Sequence, residues 1–156
     1  MGKPTEAAGS VDAAGLRVAI VAARYNETIV EALIAGARAA WLAAGGEARS
    51  FRLERVPGAF ELPLAAQVIA QRGGCDAIVA LGCVIRGDTA HFDFVAGECA
   101  RGLQQAMLST GVPISFGVLT TETQAQAEER AAPGVANKGA EALHAAVMMA
   151  RLLRAL

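Results

Sequence analysis

The chain has 156 residues, 54% of them hydrophobic and 19% charged, with a formal net charge of −1. That length fits one domain, and the apolar fraction excludes a disordered chain, which needs low hydrophobicity and high net charge. Near-zero charge, with positives nearly all arginine and scattered from Arg17 to Arg154 without a run, argues against a nucleic-acid binder and supplies no polybasic membrane patch. Mean hydropathy is +0.38. Yet Arg38, Glu61, Arg72, Asp76 and Arg86 cut the apolar segments below the ~18 residues of a membrane span. A soluble chain this small and apolar is expected to bury further surface against other subunits. Cys75, Cys83 and Cys99 lack metal-type spacing and read as reduced, buried thiols of a cytoplasmic protein.

Met1 to Gly15 is small and polar and reads as a flexible tail, leaving residues 16–156 as a single domain; its first ten residues lack the apolar core of a signal peptide. Arg17 to Ala23 is a short apolar run, the pattern of a strand covered on both faces. Asn26 can cap a helix from Glu27 to about Ala44, with Val30, Leu33, Ile34, Ala37 and Trp41 at helical spacing and Gly45-Gly46 as its stop. Arg49 to Val56 alternates as a second strand, broken by Pro57-Gly58. Phe60 to Gln71 reads as a helix with Pro63 in its first turn, where a missing N–H does no harm. Ala77 to Val84 is a third buried strand, followed by a polar break and a helix from about Ala90 to Ser109. Ile114 to Leu119 is a fourth strand, Thr120 to Thr123 can cap a short helix through Arg130, and Asn137 to Leu156 is an amphipathic last helix. Strands alternating with such helices predict βαβ crossovers with helices on both faces of the sheet. The fold is therefore an α/β three-layer αβα sandwich, with a central four-stranded parallel sheet.

In such sheets the site lies beyond the carboxyl ends of the strands. After the first strand stands Arg24-Tyr25-Asn26, and Tyr25 is the only tyrosine. Its ring can stack on a planar heterocycle; the plain alternative is a ring packed under a loop. After the second, the Val56-Pro57-Gly58-Ala59-Phe60-Glu61 turn leaves backbone groups free for a polar ligand. Glu61 reads either as a carboxylate favoured by the helix dipole or as an acceptor for ligand hydroxyls. After the third, Gly87 permits close backbone approach, and Asp88 and Thr89 open a helix whose N–H groups suit an anion. His91 in that first turn is placed to move protons near neutral pH, whereas His144, mid-helix among alanines, reads as structural. Beyond the fourth strand, Arg130 offers a planar fork for phosphate, and Lys138 is a second cation or a surface lysine. No metal cluster, nucleophile triad or P-loop is present in the sequence.

These residues fall in stretches similar to one family. RYN at Arg24–Asn26, VPGAFELP at Val56–Pro63, ALGCVIRGDTAHFDFV at Ala80–Val95, GVPISFGVLTTE at Gly111–Glu122, ER at Glu129–Arg130 and NKG at Asn137–Gly139 resemble the lumazine synthases, in the family's order and spacing. The resemblance implies a flavodoxin-like fold and the penultimate step of riboflavin biosynthesis. In that step 5-amino-6-(D-ribitylamino)uracil and 3,4-dihydroxy-2-butanone 4-phosphate give 6,7-dimethyl-8-ribityllumazine, phosphate and water, without a cofactor. It implies that Tyr25 stacks on the pyrimidine, and that Asn26, Ala59, Phe60, Glu61, Val84 and Ile85 hold the ring and ribityl chain. Phosphate would be bound at Gly87, Asp88, Thr89 and Arg130, with the Asp88 side chain turned away so that only its N–H contributes. His91 would shuttle protons, and Phe116 would reach in from a neighbouring subunit, with Lys138 nearby. It further implies a homo-oligomer, a pentamer or a 60-mer of twelve pentamers, with sites between subunits and riboflavin synthase as a partner. The rival expectation is a flavin-binding or shell-forming paralogue with little catalytic activity. A flavodoxin-type carrier would need a hydroxyl-rich phosphate loop after the first strand, and Arg24-Tyr25-Asn26 is not one.

Overall fold

A computed structural model describes residues 11–156. Four strands, β1 (Val18–Ala23), β2 (Phe51–Val56), β3 (Ala77–Ile85) and β4 (Ile114–Thr121), form one sheet in the order β2-β1-β3-β4. All three pairings are parallel, as the βαβ alternation predicts. The connecting helices are α1 (Glu27–Ala43), α2 (Leu62–Arg72), α3 (His91–Thr110), α4 (Gln124–Ala131) and α5 (Lys138–Ala155). Every residue of β1 is buried, so its alternate side chains feed two cores. Val18, Ile20 and Ala22 pack with α1, α4 and α5; Ala19, Val21 and Ala23 pack with α2 and α3. The predicted αβα sandwich is the observed one.

The α1–α5 seam is unusually close, because a Cβ on Gly139 would stand 2.0 Å from the Leu33 carbonyl oxygen. The apolar face expected of α1 is the buried one: Val30, Leu33, Ile34, Ala37 and Trp41 all face the core.

Boundaries differ where local chemistry competes with the pattern. A 3₁₀ turn at Ala48–Ser50 takes up Arg49, so β2 begins at Phe51. A second 3₁₀ turn at Ala59–Glu61 precedes α2, which places Pro63 still in the first helical turn. β4 runs two residues past Leu119, because Thr120 and Thr121 pair with Val84 and Ile85. The cap of α4 is therefore Thr123, in a reciprocal box with Gln126. Met1 to Ser10 of the expected tail lie outside the described residues. The remainder, Val11 to Gly15, is anchored on the domain. Ala13 is fully buried and donates to the Ala44 carbonyl at 2.8 Å, and Arg151 donates to the Asp12 carbonyl at 2.9 Å. No helix among the described residues is long and apolar enough to cross a membrane.

Candidate active site

The register creates a ledge at the carboxyl edge of the sheet. β3 pairs with β1 only as far as Leu81, yet continues along β4 to Ile85. Cys83 to Ile85 thus project past Ala23, the last residue of β1, and the main chain there has no β1 residue opposite it. Val84 and Ile85, half-buried, are on this ledge.

β1 and β2 end together, Ala23 opposite Val56. The Arg24 N–H donates to the Val56 carbonyl at 2.9 Å and the Tyr25 N–H to that of Pro57 at 3.2 Å, which binds the two loops side by side. Tyr25 lies directly over Gly58, where a Cβ would stand 2.7 Å from the tyrosine ring. Tyr25 is 71% exposed and Phe60 is 58% exposed, so two aromatic residues stand largely uncovered at one edge. The alternative of Tyr25 packed under a loop is therefore not observed.

Asn26 was expected to cap α1 with its side chain. Instead it has φ 57° and ψ 47° and makes no side-chain cap bond. A capping side chain needs an extended backbone at its own residue; the sharp exit from β1 forces the left-handed region, which asparagine tolerates. Its Nδ2 donates to the Cys83 carbonyl at 2.8 Å, tying the start of α1 to the β3 ledge. The Gly58 N–H, expected to be free for a ligand, donates to Glu61 Oε2 at 2.9 Å. Glu61 thus closes the turn that Tyr25 covers. Burial raises the neighbouring Cys83 thiol to about 11, which keeps it protonated and inert.

Beyond the ledge, Gly87, Asp88, Thr89 and His91 are exposed at the start of α3. The Thr89 hydroxyl accepts a long 3.4 Å hydrogen bond from the His91 N–H. Nothing lies within 4 Å of the position a Cβ would take on Gly87. That loop is open to close approach by a ligand, as an anion cradle requires.

Phe116, Arg130 and Lys138 lie elsewhere. They line a cavity of about 370 Å³ on the outer side of β4, between that edge strand and α4 and α5. Arg130 Nη1 donates to the Gln126 carbonyl at 2.9 Å, and Lys138 pairs with Glu141. Phe116 is 45% exposed. Asn26 also faces a second cavity of about 370 Å³, shared with Gln124, Glu128 and Pro133.

Three further residues stand in these parts of the structure. Arg86, next after β3, pairs with Asp93 and Glu122. Asn137 is 1% exposed, and its amide bonds Ala32, Ala131, Ala132, Gly139 and Ala140. Ser115, in the β4 cavity, has a buried hydroxyl with no partner among the described residues. Asn137 was legible only as the residue before a helix; nothing in the string shows that its amide reaches α1. His144, read as structural, is exposed on α5.

A parallel sheet with uncovered aromatic rings, a histidine and an open glycine turn along its carboxyl edge defines a small-molecule enzyme of the flavodoxin-like α/β class. Residues 15–154 match the family model for 6,7-dimethyl-8-ribityllumazine synthase. The chain belongs to that family. A 6,7-dimethyl-8-ribityllumazine synthase of Thermus thermophilus is 50% identical over 154 residues, 99% of this chain and 98% of that protein. Proteins of the same description from Halorhodospira halophila and Nitratidesulfovibrio vulgaris are 52% and 49% identical. They are matched over 90% and 95% of both partners.

Proposed function

We propose that the chain condenses 5-amino-6-(D-ribitylamino)uracil with 3,4-dihydroxy-2-butanone 4-phosphate, and that each active site is assembled from two copies of the chain. The first part rests on family membership over nearly the whole length. The second rests on one observation: Tyr25, Glu61, the β3 ledge and His91 lie along the strand ends, while Phe116, Arg130 and Lys138 line the outer side of the edge strand β4.

In this reading Tyr25 stacks on the pyrimidine, the Val84 and Ile85 backbone reads its polar edge, and Ala59, Phe60 and Glu61 hold the ribityl chain with Asn26. Gly87, Asp88 and Thr89 present N–H groups to the phosphate, and a neighbouring copy closes the pocket with Phe116, Arg130 and Lys138. Three acts are required: an amine attacks a ketone, phosphate leaves, and the ring closes. None needs a protein nucleophile. Holding the two reactants in register can itself lower the barrier by ~7–11 kcal/mol, and His91 carries the protons between nitrogen, oxygen and solvent.

A shared site needs an oligomer. Leu64, Phe94 and Leu108 are each about 70% exposed, an apolar surface suited to subunit contacts. We assign a pentamer, alone or as twelve in a 60-mer, working in the cytoplasm and delivering the lumazine to riboflavin synthase.

The test mixes the two substrates with the protein, follows lumazine absorbance and measures mass by light scattering on the same sample. Co-refolding His91→Ala with Arg130→Ala then separates shared from self-contained sites. Sharing regenerates intact sites at about a quarter of the interfaces of a randomly mixed ring. Activity no higher than the mean of the two variants refutes sharing.

A further inference from the structure

We propose that Arg86 is a positioning residue for the reaction: its guanidinium clamps the Gly87–His91 loop between the end of β4 and the first turn of α3. The inference rests on the reading of that loop as the phosphate and proton-transfer part of the site.

The Arg86 N–H donates to the Thr121 carbonyl at 2.9 Å, which continues the β3–β4 ladder one step beyond Ile85. Its backbone is thus fixed to the sheet. Its side chain reaches in two directions. Nε lies 2.9 Å from Glu122 Oε2, just past β4. Nη1 and Nη2 donate to the two oxygens of Asp93 at 3.3 and 3.1 Å. The plane also lies 4.2 Å over the Phe92 ring. This two-pronged arginine–carboxylate geometry fixes orientation as well as distance, which a lysine does not reproduce.

Between Arg86 and Asp93 runs the stretch proposed to work on substrate, so the ion pair closes a loop around Gly87, Asp88, Thr89 and His91. That loop has little else to hold it. Gly87 to His91 are all exposed, and among the described residues their recorded bonds are short-range, His91 to Thr89 and Asp93 to Ala90. Without the clamp, the start of α3 is free to swing relative to the ledge. With it, the guanidinium is engaged by two carboxylates and is not the phosphate ligand. Hydrogen bonds to Asp93 and Glu122 hold Arg86 above its ordinary value, so the guanidinium itself stays charged.

Kinetics of Arg86→Gln, Arg86→Lys, Asp93→Asn and the Arg86→Gln/Asp93→Asn double variant test this. Misplacing reacting groups by about 1 Å costs up to ~100-fold, so Arg86→Gln and Asp93→Asn should each lower kcat by about tenfold or more. The pyrimidine KM should stay unchanged, lysine should not rescue, and the double variant should be no slower than the slower single. If Arg86→Gln instead raises the KM for the phosphate substrate while Asp93→Asn leaves kcat intact, Arg86 touches the anion and the proposal falls. If both variants are silent while His91→Ala is slow, the clamp is refuted and the site stands. If His91→Ala and Thr89→Ala are silent too, the site reading itself has failed. Asp93 is exposed, so Asp93→Asn keeps the test alive should Arg86→Gln not fold.

Discussion

Replacing Asn137 with alanine tests how the β4 side of the site is held. The residue sits between Arg130 at the end of α4 and Lys138 at the start of α5, and it is buried against α1. Its Oδ1 accepts from Gly139 and Ala140 at 2.9 and 3.1 Å, capping α5. Losing such a cap costs about 1 kcal/mol. Its Nδ2 donates to Ala131, Ala132 and Ala32, of which the 2.7 Å bond to Ala131 is buried. A buried carbonyl left without a donor costs a further ~1–3 kcal/mol. The structure offers no substitute donor by easy collapse, because the amide already fills the space over Gly36, where a Cβ would lie 2.0 Å from Oδ1. The expected loss is about 2–4 kcal/mol, or roughly 5–15 °C in Tm for a chain of this size. Urea and thermal unfolding at fixed protomer concentration measure it, since assembly shifts apparent stability. Asn137→Ser keeps an acceptor for the cap and should recover about 1 kcal/mol. The KM for the phosphate substrate should rise with the alanine change, as the two cations lose their common anchor. An alanine variant within ~0.5 kcal/mol of the parent, or a serine variant no better than alanine, refutes this account.

Three further outcomes are expected. His91→Ala slows turnover by ~10²–10⁴-fold without abolishing it, and complete loss of lumazine formation in a folded variant would refute a mainly positional mechanism. Gly58→Ala brings a Cβ to 2.7 Å from the Tyr25 ring. The displaced ring should raise the pyrimidine KM by up to about tenfold with kcat nearly kept, and an unchanged KM removes Tyr25 from stacking. Burial pushes the Asp76 carboxyl up, but the Arg17 N–H at 2.7 Å and Arg154 at 2.8 Å outweigh it, leaving the group below its ordinary range. A carboxyl lowered on folding stabilises the fold above its unfolded value of ~3.9, and that contribution fades as pH falls through the folded value. Asp76→Asn should therefore lower the urea midpoint at neutral pH, with a gap that narrows below about pH 4. A gap constant across that range contradicts the linkage.

Much of the candidate site's placement at the strand ends was legible because strands buried on both faces read as continuous apolar runs. The alternation of such runs with helices fixes where strand ends fall in a parallel sheet. Tyr25 and His91 could be singled out for that reason alone. What the sequence left open lies where one polar atom has several local options. Asn26 has the identity of a cap, yet its side chain goes to a carbonyl 57 residues away. Glu61 reads equally as dipole partner or ligand, and its bond to the Gly58 N–H follows from a 3₁₀ turn that periodicity does not display.

Apolar periodicity and the glycine and proline breaks determine the element order, the parallel sheet and the edge at which the candidate site lies, since each is a property of neighbours along the chain. Tertiary structure alone decided the overhang of β3 beyond β1, the left-handed turn at Asn26, the Arg86 clamp, and the place of Phe116, Arg130 and Lys138 on the outer side of β4. These depend on register and on long side chains meeting across elements. Such distances are set by how sheets and helices pack together, and no local pattern of residue types carries them.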